Sequence, residues 1–160
     1  MLEAEPLRVL LIGNSLTYWN DLPAWIGQMS ESLGDGVPLK IESKITPDAY
    51  FRHQLEFAEF AWSPVGMIHQ GGWNIVVLQA HPYEPLERPE ESLSGAVRLT
   101  EEARLAGAEP PLFQTYPPEE GGYIYEYEKW SGGSPLEMQV YPTIGLTPRT
   151  SSTPPPAAAI

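Results

Sequence analysis

Cysteine is absent from this 160-residue chain. That removes disulfides, thiolate zinc sites and cysteine nucleophiles. Basic residues are scarce: 9 Lys and Arg stand against 21 Asp and Glu, for a net charge of −12. Such a chain repels phosphate backbones and anionic bilayers, so neither nucleic acid nor membrane is an expected partner. Much of the acid lies along candidate helices, where a solvated face is its ordinary use. No apolar run is long enough to span a bilayer. The N-terminal MLEAEPLRVLLIG is not signal-like, because acidic residues precede the apolar run and that run leads straight into a strand; the default compartment is the cytoplasm. The histidines are His53, His69 and His81, none at metal-ligand spacing, and neither a metal nor a cofactor is expected.

What the chain does contain fits one globular domain. Its length supports one substantial core, and 42% of its residues are hydrophobic. The organising stretch is Arg8–Tyr18, RVLLIGNSLTY. Val9, Leu10, Leu11 and Ile12 form a continuous apolar run closed by a turn signal, the pattern of a strand buried on both faces. Gly13 and Asn14 tolerate the tight backbone of a strand-to-helix turn. Ser15 then falls just past the carboxyl end of the first strand, where open α/β sheets bind ligands. A hydroxyl there is either a nucleophile or an ordinary loop residue.

The rest of the chain alternates helix and strand. Leu22, Trp25, Ile26, Met29 and Leu33 repeat at helical spacing and predict a helix over Leu22–Leu33, with Trp25 and Met29 in the core. Asn20 or Asp21 can cap it, Pro23 suits its first turn and Gly34 can end it. Pro38–Thr46 alternates and predicts a partly wet strand at a sheet edge. A turn at Pro47-Asp48-Ala49 precedes a helical stretch, Tyr50–Trp62, that Pro64 ends. Trp73–Gln79 is a second buried strand, followed by a proline-stiffened loop. A helix from Pro89 to Ala106 stops at Gly107, and Pro111–Thr115 is a fourth strand. The β-α-β-α-β-α-β order predicts a three-layer, flavodoxin-like, doubly wound and mainly parallel α/β sheet with right-handed crossovers. Residues 1–130 are expected to form this domain, with a short aromatic helix over Tyr123–Trp130. Residues 131–160, rich in Pro, Ser, Thr and Ala, are expected to be a poorly ordered tail.

Two segments carry a family likeness. GNSLTYWNDLP, from Gly13, resembles the first block of the SGNH (GDSL-like) hydrolases, in the branch with Gly-Asn-Ser in place of Gly-Asp-Ser. WNIVVLQAHPYEP, from Trp73, resembles that branch's later strand and loop. The resemblance spans roughly Leu7–Thr115. It implies a serine ester hydrolase acting on an acyl or carbohydrate ester of a small molecule. Ser15 would be the nucleophile, with its own N–H as one oxyanion donor, and Asn14 would brace the turn. The family's second block supplies a glycine N–H. Here Thr46–Tyr50 contains no glycine, and Asp48 or Ala49 would present the amide instead. Gln79 stands where many members have a donor asparagine; its alternative is to hydrogen-bond the loop backbone.

The family's base lies in a late Asp-x-x-His block, and this chain has no Asp after Asp48 and no His after His81. The domain is therefore expected to be C-terminally incomplete, with its end lost or replaced, and the chain weak or inactive as a hydrolase. His81, two residues past Gln79, could line the pocket or substitute as base. The alternative to catalysis is a ligand-binding relative. A nucleotide-binding domain is a weaker reading, because the Gly-rich phosphate fingerprint is missing.

Overall fold

The structure, a computed structural model, describes residues 5–33 and 37–115. Four strands carry it: β1 (Leu7–Gly13), β2 (Leu39–Ile45), β3 (Ile75–Gln79) and β4 (Leu112–Phe113). They form one sheet in the order β2-β1-β3-β4, and every pairing is parallel. β1 pairs with β2 from Leu7↔Leu39 to Gly13↔Ile45, and with β3 from Val9↔Ile75 to Ile12↔Leu78. The two continuous apolar runs thus lie side by side in the centre, and the alternating strand, β2, is at the edge. β3 begins at Ile75, two residues later than the sequence pattern suggests. Asn74 is used instead to tie in β1, its N–H donating to the Arg8 carbonyl and its Oδ1 accepting from the Arg8 N–H.

Successive strand residues face opposite sides. Leu10, Ile12, Val76 and Leu78 meet α3 (Phe51–Gln54), α4 (Pro64–His69) and α6 (Pro89–Leu105) through Phe51, Val65, Ile68, Ala96, Leu99 and Ala103. α2 (Leu22–Ser32) lies on the other face, where its Leu22 and Ile26 line a hollow with Leu11 and Val77. The sheet is doubly wound, as the element order predicts. The aromatic stretch Tyr123–Trp130 and the tail from residue 131 lie outside the described residues.

Four expectations are corrected. Trp25 and Met29 are not core: they are 58% and 64% exposed, and Leu33 is 73% exposed. Leu22 and Ile26 turn to the sheet, while Trp25, Met29 and Leu33, spaced by four, form an outward ridge about 100° around the helix. Asp21 occupies the N-cap position of α2 in left-handed geometry, φ 52, without a side-chain capping bond. The helix expected over Tyr50–Trp62 is broken. α3 stops at Gln54, Phe57 takes a left-handed φ of 56, and Pro64 opens α4 rather than ending a helix. Proline suits that first position because its missing N–H would be unpaired there anyway, and Ser63 Oγ caps the new helix by accepting the Gly66 N–H at 2.9 Å. Gly66 is required: a Cβ there would lie 1.9 Å from the Phe60 carbonyl oxygen. Finally, the loop after β3 contains a turn of helix, α5 (Glu84–Glu87).

Candidate active site

The carboxyl ends of β1, β2 and β3 bring three loops together. β1 ends in Gly13, where a Cβ would meet Thr17 Oγ1 at 2.3 Å and Gln79 Oε1 at 2.7 Å. Only glycine lets the strand turn this close to its neighbours. Asn14 is the N-cap of α1 (Ser15–Tyr18), its Oδ1 accepting the Leu16 N–H at 3.1 Å. Its Nδ2 donates to the Ala49 carbonyl at 3.5 Å and joins this turn to the β2–α3 loop.

Gln79 sits beneath the turn. Its Oε1 accepts the Asn14 N–H at 3.0 Å and the Thr17 hydroxyl at 2.7 Å, and its amide nitrogen donates to the Ala80 carbonyl. Gln54 completes the brace: its Nε2 donates to the Gly13 carbonyl at 3.1 Å, and its Oε1 accepts from Thr46 Oγ1 at 3.3 Å. Asn14, Thr17, Gln54 and Gln79 are all buried. Ser15 is half-buried at the start of α1. Among the described residues neither its hydroxyl nor its N–H has a hydrogen-bond partner, in a turn where the neighbouring polar groups are paired.

The β2–α3 loop holds the expected second amide. Ala49 is buried, and its N–H closes a turn onto the Thr46 carbonyl at 3.2 Å. Asp48, at φ 55, is the neighbour whose N–H has no acceptor among the described residues. Its exposed carboxylate meets His81 Nε2 at 3.0 Å. His81 Nδ1 accepts the Tyr83 N–H at 3.3 Å, so the proton lies on Nε2 and both ring nitrogens are engaged. The ring packs against Tyr50, with centroids 4.7 Å apart. His53 Nδ1 accepts the Tyr50 N–H at 3.0 Å. His69 pairs with Glu102 at 2.6 Å, at the end of α4 that feeds the start of β3 and away from the strand tips. No group of three His, Asp or Glu side chains among the described residues could hold a metal.

Two titrating groups in the loops are shifted. Burial, and then the hydrogen bond from its hydroxyl to Glu87 at 2.8 Å, push Tyr50 up to about 12. Glu84 is fully buried, and its carboxylate accepts the Phe51 N–H at 3.1 and 3.0 Å. Desolvation raises its pKa, against the pull of the Phe51 amide and the Arg52 charge. Behind the Ser15 turn lies an apolar hollow of about 120 Å³, lined by Leu11, Leu22, Ile26, Val77 and Phe113 with Thr17 and Gln79 at one end.

The structure therefore brings Asn14, Ser15, Ala49, Gln79 and His81 to one end of the sheet. Thr17, Gln54 and Glu84 were missed. Thr17 was discoverable from its place one turn beyond Asn14; Gln54 and Glu84 carry no local signal, because their partners are 41 and 33 residues away.

No protein-family model matches the sequence, and no curated protein matches it. Among solved structures it is similar to a protein from Slackia heliotrinireducens described as "a putative SGNH hydrolase". The TM-score is 0.69 at 22% identity, over 84% of this chain and 68% of the other. The chain has that fold; at this identity the likeness extends to the fold alone.

Proposed function

We propose that this chain is an SGNH-type serine ester hydrolase of low turnover, with Ser15 as nucleophile and an acyl or carbohydrate ester of a small molecule as substrate. The observation that carries the reading is the state of Ser15. Among the described residues its hydroxyl and amide are unpartnered at a strand tip, on a turn held from beneath by Asn14, Thr17, Gln54 and Gln79. Ser15 Oγ attacks the ester carbonyl, and its proton passes to water. The N–H groups of Ser15 and Asp48 receive the developing oxyanion. The alcohol leaves, and water hydrolyses the acyl-serine to release the acid.

Gln79 supports this chemistry by fixing the turn, since its carbonyl oxygen accepts two donors and its NH2 is engaged by Ala80. Ala49 contributes its carbonyl to Asn14. Low turnover is supported by the state of His81, whose ring nitrogens are engaged by Asp48 and Tyr83. Oxyanion donors and binding without a base leave roughly 10³–10⁴-fold acceleration in serine-protease knockouts, which sets the scale expected here. Hydrolysis of p-nitrophenyl acetate tests the reading. The wild type should exceed Ser15→Ala, with a rate that climbs with hydroxide concentration and shows no plateau near neutral pH. Equal rates for the two proteins remove Ser15 from the mechanism.

The occupied ring nitrogens of His81 also favour a second reading, a pocket kept for ligand binding without turnover. Saturable binding of a small ester, with no modification of Ser15, would select it.

A further inference from the structure

Glu84 is the one fully buried carboxylate among the described residues that the chemistry above does not use. It sits in the loop after β3, yet both oxygens reach α3 and accept the Phe51 N–H. Its own N–H donates to the His81 carbonyl at 3.1 Å. One residue therefore ties the loop of His81 to the loop of Asp48, Ala49 and Tyr50. The same two loops meet again through Asp48–His81 and Tyr50–Glu87, but those bonds are exposed and the Glu84 bonds are not. Buried, charge-assisted bonds hold geometry more firmly than solvated ones.

We propose that Glu84 is a positioning residue for the Ser15 site: it clamps the β2–α3 loop so that the Asp48 amide and the Ala49 carbonyl keep their places beside the Ser15 turn. The Ala49 carbonyl is the acceptor for Asn14, so a shift of this loop reaches Ser15 directly. The clamp is strongest when Glu84 is ionised, because a protonated carboxyl offers the Phe51 N–H a weaker, uncharged acceptor. The charged groups acting on it are Arg52 of α3, which favours the ionised form, and Glu91 of α6, which opposes it. The elements it joins also carry the titratable groups Asp48, Tyr50, His53, His81 and Glu87, which bond one another as Tyr50–His53, Tyr50–Glu87 and Asp48–His81. Burial keeps its titration above the ordinary carboxylate range, so the clamp should loosen on mild acidification.

The proposal rests on the reading of Ser15 as nucleophile, and the test separates the two. The full chain, Glu84→Gln, Glu84→Ala and Ser15→Ala are each reacted with a fluorophosphonate probe across mildly acidic to neutral pH, and amide exchange of Phe51 is followed in parallel. Glu84→Ala should slow labelling at Ser15 on the order of 10–100-fold, the scale of a misplaced catalytic constellation. Glu84→Gln, which keeps one acceptor, should slow it less, and its rate should follow hydroxide concentration alone, without the additional acid-side loss expected of the wild type. Phe51 exchange should quicken in both variants, most in Glu84→Ala. Unchanged Phe51 exchange in Glu84→Ala overturns the clamp whatever Ser15 does. Unchanged labelling, or an acid-side loss beyond the hydroxide dependence that survives in Glu84→Gln, overturns its link to the site. A wild type that fails to label at Ser15 while Phe51 exchange responds as stated sinks the nucleophile reading and, with it, the positioning role.

Discussion

At the scale of single residues, the site is built by side-chain amides rather than by charge. Gln79 Oε1 serves two buried donors at once, the Asn14 N–H and the Thr17 hydroxyl. Gln79→Ala strands both, and an unsatisfied buried donor costs about 1–3 kcal/mol. Thr17→Val removes one donor together with its need for a partner and should cost about 1 kcal/mol. Urea unfolding at neutral pH ranks the two, and Gln79→Ala should be the more damaging. Glu84 supplies the pH dependence. Its folded-state pKa is raised above 4.5, chiefly by desolvation. Such a group contributes stability that is fully present below the unfolded value and lost as pH rises through the folded one. Glu84→Gln does not titrate, so its melting temperature relative to the wild type should improve as pH rises from about 4 to about 8. A constant difference would mean that Glu84 ionises in the fold as freely as in the unfolded chain. Relief of the buried charge acts on folding; loss of an acceptor acts on where the loop sits.

At the scale of elements, α2 is the least expected part. Its sequence offers five apolar residues at helical spacing, and the sheet takes only the Leu22 and Ile26 side of them. Trp25 and Met29 lie in water. Trp25→Ala should therefore change unfolding free energy by no more than about 0.5 kcal/mol, as for surface sites generally. Ile26→Ala should cost more, roughly 1–2 kcal/mol, because it removes half-buried apolar surface over β1 and β3. Chemical denaturation of the two variants decides it, and a reversed order would place Trp25 in a packed interface. Periodicity identified this helix correctly but could not say how much of its apolar arc would be covered, since that depends on neighbours far along the chain. The region after α3 failed for a different reason. Tyr50–Trp62 has helical composition, and only the close approach of Phe60 to Gly66 and the Ser63 cap show why the chain must break there.

At the scale of the whole molecule, the sheet was the most legible feature. β1 and β3 are continuous apolar runs and occupy the centre; β2 alternates and occupies the edge. Parallel pairing and the two-sided placement of helices follow from the β-α repeat and the handedness of its crossovers. The position of Ser15 just past the first strand was legible because an apolar run followed by Gly-Asn-Ser is a local turn signal. The supports of that tip were not, because Gln54 and Glu84 act across 41 and 33 residues, and no local pattern announces such a pairing. Among the described residues no helix is long and apolar enough to cross a membrane.

The account as a whole stands on a reactive hydroxyl at the tip of the central strand. Intact-mass and peptide analysis of the full chain after exposure to a fluorophosphonate measures this most directly. One adduct per chain, located on Ser15 and absent from Ser15→Ala, is the predicted result. A chain left unmodified, or an adduct at any other position that survives in Ser15→Ala, would contradict it.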